Sequence, residues 1–238
     1  MTDFSRIKAI LFDMDGTLIK HTWQYSQITD ALFAKFRDAL LPLSSDEFFA
    51  VFWPKNVDMW MMMLDGVIDG ETAQVYSYIN TLRALEKDPA LGPQMSDYWL
   101  HLVLEEAVPF DETPLVLKRA RARYTTGIVT NGFTITQQAK IKKYALAEQV
   151  DFCLISEEIG FHKPDARIFE HALQKAGNLL PEQAVFVGDN LDADIRGALN
   201  AGLQPIFINP ADDQLPPEGV IKIKHLKDLL PLLNLTTA

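Results

Sequence analysis

The chain has 238 residues, 48% of them hydrophobic, with a formal net charge of −10 and a single cysteine. That apolar content supports a packed core and excludes a disordered chain. The charge disfavours a nucleic-acid polymer as partner but leaves room for a small phosphorylated molecule, because a metal ion and a lysine can reverse the local field.

No stretch reaches the roughly 18 apolar residues of a membrane span, so no membrane partner is expected. Residues 1–6 lack the n-region and h-region of a secretory signal, and a cytoplasmic protein is expected. Cys153 has no partner for an internal disulfide. Its setting, Asp151-Phe152-Cys153-Leu154-Ile155, predicts a small buried side chain rather than a nucleophile.

Lys8 to Phe12 reads as a buried strand running into Asp13-Met14-Asp15-Gly16-Thr17. Two carboxylates there would lie at the carboxyl edge of a sheet, where open α/β folds place their ligand crevices. Like charges that close need a cation or a shared proton. Divalent-metal binding, or a pair in which one carboxylate attacks and the other handles protons, are the usual outcomes.

From about Lys20 to Phe110 no strand is evident, and the pattern is helical. Ile28, Leu32, Phe33, Phe36 and Leu40 recur at helical spacing, Ser44-Ser45-Asp46-Glu47 fits a capping box, and Asp65-Gly66 and Asp69-Gly70 mark turns. Phe48, Phe49, Phe52, Trp53, Met59, Trp60, Met61, Met62 and Met63 concentrate here, and core packing is expected for most of them. Four apolar residues in a row from Trp60 cannot all share one helix face.

Beyond Tyr124, strands and helices alternate. Strands are predicted at residues 126–130, 152–155, 184–187 and 205–208, and helices at 135–146, 166–176, 193–201 and 226–233. This alternation predicts a Rossmann-like α/β core: a parallel sheet with helices on both faces. The predicted domains are a catalytic core of residues 1–19 and 111–238, and an all-helical insertion of residues 20–110.

Each later strand leads into a reactive or phosphate-friendly segment. These are Thr130-Asn131-Gly132 at a helix start, Lys163-Pro164-Asp165, and Gly188-Asp189-Asn190-Leu191-Asp192-Ala193-Asp194. Each is common alone. Parallel strands would bring carboxylates, a hydroxyl and an ammonium to one edge together.

With these residues in place, the chain resembles the haloacid dehalogenase superfamily, in which phosphatases dominate. The segments 128–133, 155–160 and 187–202 look most like the branch holding noncanonical pyrimidine nucleotidases and N-acylneuraminate-9-phosphatases, whose cap is a helical insertion after the first motif. The resemblance implies that Asp13 is the nucleophile and Asp15 the general acid and base. Thr130 and the Asn131 amide would hold phosphoryl oxygens, and Lys163 would neutralise charge. Mg²⁺ would be bound by Asp13, Asp189 and the main-chain carbonyl of Asp15, with Asp194 ligating through water. The substrate implied is a small phosphorylated metabolite, foremost a nucleoside 5′-monophosphate.

Several alternatives stay open on this core: a sugar-phosphate phosphatase, a phosphomutase, and a phosphonatase using an amine such as Lys55 or Lys87. A dehalogenase of this superfamily has no second aspartate two residues after the nucleophile, so Asp15 argues against it. A phospho-signalling receiver or a phosphate-binding module is the non-enzyme alternative. Motif order, the long insertion and the intact Asp13 and Asp15 weigh against both. Asp192 reads as a helix cap or dipole partner rather than a ligand. Thr17 reads as a buttress for the Asp15 loop, and Asn56 and Trp60 are candidates for reading a leaving group.

Overall fold

The computed structural model describes residues 4–20 and 25–236. The chain divides into two compact units, Met1–His21 with Val108–Ala238, and Thr22–Ala107.

The first unit holds a six-stranded, all-parallel sheet: β1 (Ala9–Phe12), β2 (Thr125–Thr130), β3 (Phe152–Ile155), β4 (Ala184–Gly188), β5 (Gln204–Ile208) and β6 (Ile221–Ile223). The order is β3-β2-β1-β4-β5-β6. Strand β1 is therefore central, paired with β2 on one side and β4 on the other. All four of its residues are buried, as a parallel strand covered on both faces requires. Chain connection reverses direction at β1, and such switch points are where α/β sheets open a crevice.

The helices in chain order are α1 (Tyr25–Lys35), α2 (Arg37–Leu40), α3 (Ser45–Leu64), α4 (Gly70–Ala84), α5 (Gly92–Glu106), α6 (Thr113–Arg121), α7 (Thr134–Lys143), α8 (Leu146–Gln149), α9 (Ser156–Ile159), α10 (Ala166–Lys175), α11 (Gly197–Asn200) and α12 (Leu229–Leu232). Helix α10 lays Ile168, Phe169, Ala172 and Leu173 against Leu11, Val129, Leu154 and Phe186 of the sheet. Phe169 meets Phe186 edge to face, with ring centroids 5.1 Å apart.

Among the described residues of the second unit, every regular element is a helix. Ile28, Leu32, Phe48, Phe52, Tyr78, Met95 and Trp99 form its core. Ser44 and Glu47 make the expected reciprocal capping box at the start of α3, and Asp69 caps α4 through the Thr72 N–H.

Some expectations need correction. The aromatic and methionine run is less buried than expected. Phe48 and Phe52 are in the core, but Trp53, Met61 and Met62 are exposed, and Phe49, Met59, Trp60 and Met63 are half-buried. A single 20-residue helix turns only part of its circumference inward. Lys87 donates from Nζ to the Leu41 carbonyl at 2.6 Å. The helix expected over 135–146 breaks at Ala145, which adopts a positive φ of 48° before α8. The helix expected over 193–201 begins instead as a π-helical turn, Leu191–Arg196, and becomes α11 only at Gly197. Strand β6 was not expected: three residues of Ile-Lys-Ile carry too little pattern. Cys153 is half-buried rather than fully buried, and burial foremost pushes its thiol up to about 11, which leaves it inert near neutral pH.

Candidate active site

The site assembles at the carboxyl edge of β1, β2 and β4. Asp13 directly follows β1, and its N–H still donates to the Val187 carbonyl of the neighbouring strand at 2.9 Å. The ladder therefore fixes the backbone that carries this carboxylate. The chain then folds tightly back. Gly16 N–H donates to the Ile19 carbonyl at 2.7 Å, and Ile19 N–H to the Met14 carbonyl at 2.9 Å. Thr17 lies buried beneath this turn.

Lys163 is the electrostatic centre. Its Nζ lies 2.5 Å from Asp13 Oδ1 and 2.7 Å from Asp194 Oδ1, with all three side chains buried. Burial pulls the Lys163 ammonium down, but Asp13 and then Asp194 outweigh it and hold it charged well above its ordinary value. The lysine's backbone is clamped by Asn131: its Oδ1 accepts from Lys163 N–H and its Nδ2 donates to the Lys163 carbonyl, each at 2.9 Å. Asn131 thus spends its side chain on the lysine loop.

Asp189 and Asp194 follow β4. Asn190 caps the π-helical turn, accepting from the N–H groups of Asp192 and Ala193 at 3.0 and 2.9 Å. The Asp194 Oδ2 accepts from Asn190 N–H at 2.9 Å, so one oxygen faces this backbone and the other faces Lys163. Asp192 lies apart, exposed and paired with Arg196 one turn on.

Among the described residues, Asp13, Asp189 and Asp194 each offer an oxygen within 4.8 Å of the others. One lysine does not balance three acids. Burial foremost pushes the Asp13 carboxyl well above its ordinary value; Lys163 pulls against this, and Asp194 and Asp189 add to it. Burial also raises Asp189, with Asp194 adding to it, to about 7. A buried acidic cluster with surplus negative charge and hard oxygen donors fits a divalent cation such as Mg²⁺.

Asp15, two residues beyond Asp13, meets a different set of partners. Lys140 Nζ lies 2.8 Å from both of its carboxylate oxygens, and Gln137 Nε2 is 3.0 Å from Oδ2. The same Nε2 is 2.6 Å from Thr130 Oγ1 and 3.0 Å from the Asn131 carbonyl. The Gly132 N–H donates to Ser156 Oγ at 3.2 Å. The fold thus gathers Asp13, Asp15, Thr130, Asn131, Lys163, Asp189 and Asp194 at one edge. It adds Gln137 and Lys140, which sequence reasoning missed. The sequence carries no signal for them; only the fold shows that Thr136, Gln137 and Lys140 of α7 are polar and buried together, an arrangement that costs stability unless each group is satisfied.

A parallel sheet with an acidic cluster and a buried lysine at its switch point defines a hydrolase core of known type. Residues 7–202 match the haloacid dehalogenase-like hydrolase family, and the chain belongs to it. It is 29% identical over 211 residues to the pyrimidine 5′-nucleotidase YjjG of Escherichia coli, covering 89% of each chain. It is 31% identical over 211 residues to the glyceraldehyde 3-phosphate phosphatase of Methanothermobacter thermautotrophicus, covering 85% of this chain and 86% of the relative. The magnesium-bound crystal structure of the HAD-hydrolase YfnB from Bacillus subtilis superposes with a TM-score of 0.67 at 25% identity, over 97% of this chain and 100% of that one. Among the described residues no helix is long and apolar enough to cross a membrane.

Proposed function

We propose that this chain hydrolyses a small phosphate monoester, foremost a nucleoside 5′-monophosphate, through a phosphorylated Asp13. The observation that carries the reading is the buried Asp13, whose Oδ1 is held by Lys163 at 2.5 Å, with a second carboxylate two residues on. With one oxygen fixed, Oδ2 is left to attack phosphorus. The Asp13–phosphorus bond forms as the bond to the leaving oxygen breaks, and Asp15, entering this step as the carboxylic acid, gives that oxygen its proton and becomes the carboxylate. Asp15 then takes a proton from the water that attacks phosphorus, and cleavage of the Asp13–phosphorus bond restores the carboxylate.

Thr130 Oγ1 and the Asn131 amide hold phosphoryl oxygens, while Lys163 offsets the charge that gathers on Asp13 and the transferring group. Asp13, Asp189 and the Asp15 main-chain carbonyl would hold Mg²⁺, with Asp194 behind them. A bound cation there supplies charge neutralisation for the phosphoryl group and relieves the acidic cluster. Asp194, with one oxygen on Asn190 and the other on Lys163, acts chiefly by holding that lysine.

The pyrimidine nucleotidase relative supports a nucleotide. The glyceraldehyde 3-phosphate phosphatase relative, at 31% identity, favours a sugar phosphate as second reading. Phosphate release across nucleoside monophosphates, sugar phosphates and an aryl phosphate, with Mg²⁺ and with EDTA, tests both. Mg²⁺-dependent release with a preference for nucleoside monophosphates is expected. Release unaffected by EDTA, or none from any ester, would overturn the proposal.

A further inference from the structure

We propose that Lys140 and Gln137 of α7 form a bracket that positions Asp15 for proton exchange with the leaving group, an inference that rests on the phosphatase reading above. Asp15 stands on a tight turn, and among the described residues the hydrogen bonds that reach its carboxylate come from α7. Fixation comes from a helix more than a hundred positions away. Lys140 Nζ, itself buried, contacts both oxygens at 2.8 Å, and Gln137 Nε2 contacts Oδ2 at 3.0 Å. The two residues are three apart and share one helix face.

The bracket also reaches the phosphate side. Lys140 Nζ donates to Gln137 Oε1 at 3.0 Å, which fixes the amide with its nitrogen towards Asp15 and Thr130. That nitrogen donates to Thr130 Oγ1 at 2.6 Å. With the hydroxyl accepting there, its own hydrogen faces the Asn131 carbonyl at 3.4 Å, a long contact that a phosphoryl oxygen would replace. One lysine–amide pair therefore sets both the proton-transfer group and the hydroxyl donor. Lys163 belongs to the nucleophile, and Lys140 belongs to the acid.

A purely structural role would neutralise Asp15 without caring about the leaving group. A positioning role cares, because an alkoxide needs its proton during bond breaking and a para-nitrophenolate does not. The test is leaving-group release in the first turnover, which reports phosphorylation of Asp13 alone. It compares para-nitrophenyl phosphate with the alkyl phosphate that the wild type turns over fastest.

Lys140→Met should slow release from the alkyl ester about 100-fold and from the aryl ester less than about fivefold, with KM within about twofold. Lys140→Arg should restore the alkyl rate to within about fivefold of wild type, since it keeps the cation and its donors. In an Asp15→Asn background, Lys140→Met should slow alkyl release by less than about twofold, because the proton-transfer group it positions is gone and Gln137 still reaches Thr130. If Lys140→Met does not fold, Gln137→Leu must show the same alkyl–aryl contrast. Equal losses on the two esters, or a full loss persisting in the Asp15→Asn background, would overturn the inference alone. A wild type that releases no leaving group from any ester would overturn the phosphatase reading and this inference with it.

Discussion

The carboxylate of Asp189 occupies the space that a β-carbon on Gly16 would need. A methyl group built on Gly16 would lie 2.1 Å from Asp189 Oδ2, and Gly16 has a φ of +88°. The turn that carries Asp15 is thereby pressed directly onto the acidic cluster, which only glycine permits. Gly16→Ala should therefore push Asp189 aside and strain the turn, costing about 1–3 kcal/mol of stability and weakening Mg²⁺ binding. Thermal unfolding with and without Mg²⁺ checks this: a variant that keeps the full Mg²⁺-induced rise in Tm would contradict it.

Lys163 links two buried carboxylates that have no other ion-pair partner among the described residues. Lys163→Met should leave both uncompensated and cost about 3–5 kcal/mol in metal-free protein, as breaking a buried pair does. Denaturant unfolding in EDTA measures it. Activity should fall as well, because the cation beside Asp13 is gone.

Acidity offers a further check. Asp189 rises from 3.8 to about 7, by burial and the neighbouring Asp194, in metal-free protein. A carboxyl raised on folding contributes stability that is fully present below 3.8 and is lost as pH rises through about 7. Metal-free protein should therefore lose stability across that window. Mg²⁺, which favours the ionised form, should raise Tm more at mildly alkaline than at mildly acidic pH. An equal rise at both would contradict the assignment of Asp189 as a ligand.

The parts of the site carried by strand ends were legible in the sequence. Asp13, Thr130 and Asp189 each follow an apolar run, and a parallel sheet aligns such ends whatever their separation in the chain. Lys140 and Gln137 were not legible, because they lie on a polar face inside a helix and not at a strand end. Only the tertiary fold turns that face towards Asp15. The π-helical turn at Leu191–Arg196 escaped notice for a related reason. Its backbone answers to the Asn190 cap and the Asp194 contact with Asn190, not to local propensity. The capping box at Ser44 was legible because its two partners are three residues apart.

Asp13→Asn removes the proposed nucleophile with little change of volume, so the fold should be retained. Turnover should fall by more than about a thousandfold, several kcal/mol of barrier. Steady-state phosphate release and circular dichroism together check it.

The covalent step itself is the most direct test. Wild-type protein mixed with excess ester and Mg²⁺, quenched in acid within the first turnover and digested, should yield the Asp13 peptide carrying a phosphoryl group that hydroxylamine removes. The Asp13→Asn protein should yield none. Multiple turnovers without any phosphorylated peptide, or a phosphoryl group mapped to a residue other than Asp13, would contradict the account.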